Sequence, residues 1–215
     1  MLIQSALFNE WHPFDSFYPN SQRSVVNVPV DLIKETGFLV VWGGGDIHPA
    51  LYGHKNVASH VGTIPSRQDL LERDIFIQAV HQEIPIVGVC RGAQLGCIVS
   101  GGYLVQDVTG HTYDHYITTD DGKRILTPSL HHQMMYPWTI SKGDFEIIAT
   151  TNPTRSKHYI SDIKDPNINS CQLEPEVIWF PKTKCLGIQG HPEFMACDTP
   201  FNQYIKILID KWIAP

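Results

Sequence analysis

The sequence predicts an α/β fold organised around a central, mostly parallel β-sheet. Mostly apolar runs at residues 38–42, 84–89 and 185–189 have the length of buried strands, and each leads into a turn that contains glycine. One amphipathic helical pattern precedes the middle run and another follows it, and such alternation is typical of parallel sheets. The 215 residues suffice for one continuous core, so we expect a single domain over residues 1–215.

The first part of the chain can be assigned from apolar runs and turn residues. A short helix over residues 31–36 is expected to end at Gly37, because glycine readily adopts the left-handed conformation that closes many helices. The irregular segment 48–65 is expected to be a surface loop. The strands predicted before it are residues 2–8, 25–30 and 38–42.

A strong helical pattern spans residues 66–82. Ser66 is a typical N-cap, and Asp69 three positions later completes a partial capping box. The side chains predicted to lie on the sheet form an apolar ladder of Leu71, Ile75, Phe76, Ala79 and Val80.

The C-terminal half predicts an antiparallel or mixed region. Residues 111–127 resemble a hairpin whose turn is Asp120-Asp121-Gly122, and strands are expected at 145–150 and 177–180. The last helix should begin at Thr199-Pro200, an N-cap followed by proline in the first turn. Its predicted buried residues are Phe201, Ile205, Leu208 and Trp212.

The strand at 84–89 stops at Gly88-Val89-Cys90-Arg91-Gly92, and a helical pattern begins at once. This is the pattern of a nucleophile elbow, with cysteine at the apex and glycines where strand and helix pack closely. The N-terminus of the following helix favours a thiolate at Cys90. Taken alone, the pentapeptide is equally compatible with a buried cysteine that ends a parallel strand.

A cysteine nucleophile needs a base, and the base needs a partner that fixes its orientation. His191-Pro192-Glu193 supplies both groups within one turn at the end of the strand 185–189. The alternative is a histidine and a glutamate on a solvated loop, and the cysteine elbow in the same chain weighs against it.

The glycine run 43–45 follows the strand 38–42 and should lie beside Cys90, since parallel strands end at one edge of the sheet. A backbone N–H of this run and that of Arg91 can stabilise a developing oxyanion. A phosphate-binding loop fits less well, because no helix follows and no Lys-Ser/Thr completes the Walker pattern.

Composition excludes several classes of function. The 16 basic and 22 acidic residues give a net charge of −6 without a basic stripe, so we expect no nucleic-acid partner. No apolar run reaches membrane-spanning length, so we expect no membrane association. The five cysteines lack compact spacing, which argues against a disulfide framework and predicts a cytoplasmic protein.

A metal site is a competing interpretation of the histidines at 111, 115, 131 and 132. No carboxylate or cysteine in the sequence completes a convincing ligand set with them, and Gly110 argues against a helix there. The sequence therefore predicts no metal and no cofactor.

Five ordered motifs between about residues 37 and 195 carry a family resemblance. Residues 88–94, 101–108 and 187–193 resemble the signatures of the class I glutamine amidotransferase-like superfamily. Residues 43–53 and 129–133 resemble its γ-glutamyl-γ-aminobutyrate hydrolase branch, which also has an Arg-Asp pair where this chain has Glu72-Arg73-Asp74. The resemblance implies a flavodoxin-like three-layer sandwich.

The resemblance also implies roles for individual residues. Cys90 would be the nucleophile, His191 the general base and then acid, and Glu193 its orienting partner. The backbone N–H groups of Gly44 and Arg91 would form the oxyanion hole. The residues implied to bind the substrate are Gly43, Gln94, His132 and Gln133, of which Gln94 would hold the α-amino or α-carboxylate end of a γ-glutamyl group.

The implied activity is hydrolysis of the γ-glutamyl amide bond of glutamine or of a γ-glutamyl-amine conjugate, through a thioester. One alternative is a glutaminase subunit that supplies ammonia to a separate synthetase or amide ligase, and another is a catalytically silent binding module. A homodimer is among the states that the sequence allows. The branch usually has an aromatic residue where this chain has Gly190, which predicts an enlarged or reshaped pocket wall.

Overall fold

The computed structural model describes residues 37–165 and 173–213, together with Phe17, Ile168 and the backbone of two short strands near the N-terminus. The strand predicted at 2–8 is described over Leu2–Ser5, and a further strand spans Gln22–Ser24. The predicted strand 25–30 and helix 31–36 lie outside the described residues.

The helices are α1 (Arg67–His81), α2 (Arg91–Val99) and α3 (Pro200–Trp212). The strands are β1 (Leu2–Ser5), β2 (Gln22–Ser24), β3 (Phe38–Val41), β4 (Ile86–Val89), β5 (Tyr103–Val105), β6 (Asp107–Val108), β7 (His115–Thr119), β8 (Arg124–Thr127), β9 (Met134–Tyr136), β10 (Glu146–Thr151), β11 (Tyr159–Ile160), β12 (Glu174–Phe180) and β13 (Cys185–Ile188).

Within the described residues, nine strands form one sheet in the order β2-β1-β3-β4-β13-β12-β10-β7-β8. Neighbours from β2 to β13 are parallel, and neighbours from β13 to β8 are antiparallel. The three apolar runs from which the α/β class was predicted are β3, β4 and β13, and they are adjacent. The parallel half of the sheet therefore brings their C-terminal ends to one edge, as the prediction required.

Two apolar cores lie on opposite faces of the sheet. One core packs α1 and α2 onto it through side chains such as Phe76 and Leu95, and both of these are fully buried. The other core packs α3 through Phe201 and Ile205. Burial of each such side chain stabilises the fold by about 1.5–3 kcal/mol. The chain thus forms the predicted three layers of helix, sheet and helix.

The predicted helix starts are confirmed. Ser66 accepts a hydrogen bond from the Asp69 backbone, and the Asp69 carboxylate accepts one from the backbone of Ser66, so the capping box of α1 is complete. Thr199 caps α3 ahead of Pro200. Trp212, which stacks on Trp179 near the end of the helix, is only half-buried, unlike the prediction.

The antiparallel half also follows the prediction. Strands β7 and β8 pair as a hairpin, and Gly122 in its turn has a φ of 80°, which glycine adopts without strain. Strands β10 and β12 pair antiparallel and extend the sheet beyond β13. In the part of the chain that the structure describes, no helix combines the length and apolarity needed to cross a membrane.

Candidate active site

Cys90 lies at a strained turn between β4 and α2. Its backbone has a φ of 49° and a ψ of −106°, a conformation that costs a non-glycine residue of order 1–3 kcal/mol. A Cβ on Gly88 would lie 2.4 Å from the Gly92 carbonyl oxygen, and a Cβ on Gly92 would lie 2.0 Å from that of Val41. Only glycine fits at both positions, so the predicted elbow geometry is present.

The pairing of β13 with β4 brings His191 to the elbow. Ile188 pairs with Val89, and the Cys90 backbone N–H donates to the Ile188 carbonyl at 2.7 Å. A Cβ on Gly43 would lie 3.1 Å from His191 Cε1 and 3.6 Å from Cys90 Cβ. The side chains of Cys90 and His191 therefore meet beside the glycine run.

Glu193 orients the imidazole of His191. Its Oε1 lies 2.7 Å from His191 Nδ1, and the Phe194 ring stacks on the imidazole at a centroid distance of 4.5 Å. Among the described residues, His191 Nε2 has no hydrogen-bond partner of normal geometry. Burial lowers the pKa of His191, but its interactions with Cys90 and Glu193 outweigh this and raise the pKa to about 10. The imidazole is thus a strong base beside the thiol.

The turn that holds Glu193 is anchored by Asn202, which the sequence analysis did not identify. The Asn202 side-chain amide on α3 donates to the carbonyl oxygens of Pro192, Met195 and Ala196 at 2.9–3.1 Å. Asn202 is completely buried. The available signal was an asparagine next to Phe201, within the apolar stripe of α3, because a buried amide requires partners.

The side chain of Arg91 is a second feature that the sequence analysis did not identify. The sequence predicts a role only for its backbone N–H, but its guanidinium is buried and pairs with Asp69 at 2.8 Å and Glu72 at 2.9 Å. It also donates to the carbonyl of Gly45 at 3.1 Å. A Cβ on Gly44 would lie 2.8 Å from Arg91 Cδ. The guanidinium therefore ties α1, α2 and the glycine run together.

The Arg73-Asp74 pair, which contributes to the family resemblance, lies outside this network. Arg73 and Asp74 form a surface ion pair with side chains 38% and 55% exposed, and such pairs contribute little to stability. The acidic partners that matter for the elbow are Asp69 and Glu72, one helical turn apart on the buried face of α1.

The residues predicted to bind substrate are not equivalent in the structure. Gly43 lies at the Cys90–His191 contact, and Gln94 lies on α2 one turn after Cys90. The side-chain amide of Gln94 donates to the Gln133 backbone carbonyl at 2.8 Å. Gln94 is thereby held beside the elbow.

Gln133 is engaged with the protein. Its Oε1 accepts from the Ile47 backbone at 2.9 Å, and its Nε2 donates to the Ile47 carbonyl and to Ser59. Since both of its amide protons are used and it is buried, Gln133 supports the segment after the glycine run and does not offer a free group to a substrate.

His132 is similarly occupied. Its Nε2 lies 2.8 Å from Asp46 and its Nδ1 lies 3.1 Å from Asp107, so each ring nitrogen faces a carboxylate. These two carboxylates raise the pKa of His132. Both ring nitrogens of His132 are therefore engaged by carboxylates of the protein.

The expectation of an enlarged pocket at Gly190 is wrong. A Cβ on Gly190 would lie 2.1 Å from Thr127 Oγ1 and 3.1 Å from Phe201 Cζ. The space that an aromatic side chain would need is already filled by β8 and α3. Gly190 therefore allows close packing of these elements behind His191.

The expectation that no carboxylate completes a ligand set with the histidines at 111, 115, 131 and 132 is also wrong. Glu176 on β12 lies 2.8 Å from His115 and 3.2 Å from His111, and Glu174 lies 3.2 Å from His111. Burial lowers the pKa of His131 to about 3. Burial also lowers the pKa of His111, but Glu174 and Glu176 outweigh it and raise that pKa to about 9. The carboxylates come from β12, which sequence spacing alone does not bring near these histidines.

A surface groove of about 550 Å³ lies beside this second cluster, and its lining includes His115 and Thr151. None of Cys90, His191 or Glu193 lines it. The groove is therefore separate from the elbow.

Comparison with known proteins supports the architecture. A protein from Thermoplasma acidophilum, described as part of a putative GMP synthase, superposes with a TM-score of 0.66 at 13% identity, covering 99% of this chain and 93% of that one. The glutaminase domain of a Trypanosoma brucei CTPS, solved with bound acivicin, superposes with a TM-score of 0.57 at 14% identity, covering 100% and 95%. These similarities show the class I glutamine amidotransferase fold, which is flavodoxin-like.

Sequence comparison identifies the family. Protein NtpR of Enterococcus hirae is 27% identical over 81% of this chain and 73% of its own length. A putative glutamine amidotransferase-like protein, the YvdE homolog of Lactococcus lactis subsp. cremoris, is 30% identical over 64% of this chain and 73% of its own length. The family model for Peptidase C26 matches residues 23–136, more than half of the chain. The chain therefore belongs to the Peptidase C26 family, within the glutamine amidotransferase-like superfamily.

Proposed function

We propose that the protein hydrolyses γ-glutamyl amide bonds, in glutamine or in a γ-glutamyl-amine conjugate, with Cys90 as nucleophile. The observation that carries this proposal is the strained elbow that sets the Cys90 thiol beside the His191 imidazole, whose other nitrogen is held by Glu193. Membership of a family of amide hydrolases and amidotransferases supports the same class of reaction.

His191 Nε2 holds the proton of Cys90, and the reaction begins when the resulting thiolate attacks the γ-carbonyl carbon. The backbone N–H groups of Gly44 and Arg91 stabilise the resulting oxyanion, and each such donor contributes about 3 kcal/mol to barrier lowering. Collapse of the intermediate breaks the C–N bond, and the amine leaves with the proton from His191. A glutamyl thioester on Cys90 remains.

The second half-reaction regenerates the enzyme. His191 removes a proton from a water molecule, which attacks the thioester carbonyl, and the sulfur leaves as a thiolate that regains the proton. Glutamate is released. Glu193 keeps the imidazole in the tautomer and orientation that both proton transfers need.

Gly43 and Gln94 are the residues proposed to contact the glutamyl group. Gly43 lies at the meeting point of Cys90 and His191, where a Cβ would crowd the imidazole of His191 and the Cβ of Cys90. Gln133 and His132 are proposed to support the substrate site indirectly, by positioning other residues. Gln133 holds Gln94 through its carbonyl, and His132 links Asp46 to Asp107.

A glutaminase subunit is the second candidate. The observation that favours it is the full-length superposition on a protein described as a GMP synthase subunit, which suggests that a partner synthetase could receive ammonia. Both candidates use the same chemistry on Cys90. They differ in whether the isolated chain turns over and which amide it prefers.

The test is glutamate release by the purified full chain from glutamine and from a set of γ-glutamyl-amine conjugates. Turnover of conjugates by the isolated chain supports the hydrolase. Cleavage of glutamine alone, and only after addition of a synthetase, supports the second candidate. Binding of these compounds without any glutamate release under either condition would identify a silent module and overturn both candidates.

A further inference from the structure

Three buried side chains with metal-binding groups meet in the antiparallel half of the molecule. One ligand atom from each of His111, His131 and Glu176 lies within 4.8 Å of the other two. The three residues are 0%, 4% and 1% exposed. They come from the loop before β7, the segment before β9, and β12, so the tertiary fold assembles them.

His131 presents an unused lone pair to this cluster. Its Nδ1 lies 2.9 Å from the Gln133 carbonyl and must donate to it, which leaves Nε2 without a proton. Among the described residues, Nε2 has no hydrogen-bond partner. Metal-binding histidines typically show this arrangement, in which one nitrogen donates to a carbonyl and the other is the ligand.

Glu176 likewise has one oxygen bonded to the protein and one oxygen available to a metal. Its Oε1 accepts from His115 Nε2 and from Thr151 Oγ1, both at 2.8 Å. Its Oε2 has no partner among the described residues, although the atom is buried. A buried carboxylate oxygen without a donor is costly, and a cation would stabilise it.

His111 lies between two carboxylates. Its Nε2 is 3.2 Å from Glu174, and its Nδ1 is 3.2 Å from Glu176. Neither contact has the geometry of a good hydrogen bond. If Nδ1 is the metal ligand, Nε2–H points at the Glu174 carboxylate, and a carboxylate that orients a ligating histidine is common in zinc sites.

The charges around the cluster favour a divalent cation. Glu174 and Glu176 are both buried, and no lysine or arginine of the described residues forms an ion pair with either. The nearby Arg155 reaches Glu174 only through its backbone N–H, while its guanidinium binds the Gly110 carbonyl and covers the Tyr113 ring. The basic side chains that face these two carboxylates among the described residues are therefore the histidines His111 and His115, and not a permanently charged lysine or arginine.

We propose that His111 Nδ1, His131 Nε2 and Glu176 Oε2 bind one zinc ion. Two imidazoles and a carboxylate suit zinc, whose ligand distances of about 2.0–2.2 Å require ligand atoms about 3.4 Å apart. Since no two of the ligand atoms are more than 4.8 Å apart, the cluster reaches this spacing with closure of at most about 1.4 Å. A water molecule takes the fourth position. His115 and Thr151, which contact Glu176 Oε1, also line the surface groove.

Zinc binding would stabilise the segment 128–133, which contacts the backbone of His191. The carbonyl of His111 accepts from the His131 backbone and from Ser129 Oγ, and the His191 backbone donates to the carbonyl of Pro128. An ion bound by His111 and His131 holds segment 128–133 in its contacts with the backbones of His111 and His191. Because this role is structural, it does not depend on the proposed reaction of Cys90.

The first test is calorimetric titration of the chelator-treated full chain with Zn²⁺ alone. A Cys90→Ser variant is titrated in parallel, because the Cys90 thiol and His191 can also bind zinc. The expected result is one equivalent of tightly bound zinc in both proteins. Absence of a stoichiometric site in Cys90→Ser overturns the proposal and leaves the cluster as a metal-free ion pair of His111 with its two glutamates.

The second test identifies the ligands. Glu176→Gln and His131→Asn should each weaken zinc binding at least about 100-fold, whereas His60→Asn, in the half-exposed Asp46–His60–His132 group, should not change it. X-ray absorption on the zinc-loaded Cys90→Ser protein should show imidazole and oxygen ligands without sulfur. This measurement does not depend on whether Glu176→Gln and His131→Asn fold. Sulfur ligation, or loss of binding only in His60→Asn, contradicts the assignment.

Discussion

The elbow at Cys90 and the cluster around Glu176 are organised in opposite ways, although β12 and β13 are neighbours. At the elbow, the chemical groups lie within two short motifs, and backbone strain with tight glycine contacts holds them in position. In the cluster, each group comes from a different element. His115 and Thr151 donate hydrogen bonds to Glu176, and the Glu174 carboxylate faces His111. The comparison teaches that local motifs identify the first kind of site, whereas the second kind becomes visible only once the strands pair.

The largest effect is expected for Cys90→Ala. Without the thiol no thioester forms, so kcat/KM should fall at least about 10⁴-fold while the free energy of unfolding changes little. Cys197→Ser, which alters a partly exposed thiol, should leave kcat/KM unchanged. Steady-state kinetics and urea unfolding measure both. Retention of a tenth of the activity by Cys90→Ala contradicts the proposed nucleophile.

The strained packing of the elbow predicts the next largest effect. In Gly92→Ala the new Cβ collides with the backbone of Val41, so the free energy of unfolding should fall by about 3 kcal/mol. Gly45→Ala is the matched control, because nothing lies within 4 Å of its Cβ position. Urea denaturation should show a change of less than about 0.5 kcal/mol for the control. Equal stabilities of the two variants would mean that the close contact is not real.

Asn202→Ala tests the anchor of the turn that carries Glu193. The loss of a buried amide leaves three carbonyl oxygens without their donor, which should cost about 2 kcal/mol of stability and reduce kcat. Gln203→Ala is the control, since this exposed side chain makes a single hydrogen bond to Cys197. A drop in stability of the same size in both variants argues against a specific anchoring role.

Glu193→Gln should change the pH dependence. Burial lowers the pKa of His191, while Cys90 and Glu193 raise it to about 10, so the proton needed by the leaving amine is present below that pH and is lost above it. Removing the carboxylate charge takes away one of the two raising interactions. The alkaline limb of kcat/KM should therefore move to lower pH, and activity at pH 9 should fall by about twofold or more if the pKa falls by one unit. An unchanged limb excludes Glu193 as the partner that sets this pKa.

Features that depend on local motifs could be predicted from the sequence, whereas features that depend on contacts between distant segments could not. The strands β3, β4 and β13, the capped helices and the meeting of Cys90 with His191 were predictable, because each depends on a local run or on parallel strands ending at one edge. The buried guanidinium of Arg91, the carboxylates that surround His111 and the filled space at Gly190 were not. Each of these depends on contacts between residues far apart in the chain, which no periodicity encodes.

The central claim is that the Cys90 sulfur becomes acylated by the γ-glutamyl group, and rapid quenching of turnover tests it directly. The purified protein is mixed with a γ-glutamyl amide, quenched in acid, digested and analysed by mass spectrometry. The account predicts a glutamyl adduct on the peptide that contains Cys90, abolished in Cys90→Ala and unchanged in Cys197→Ser. Turnover with no adduct on that peptide, or with an adduct on another cysteine, would contradict it.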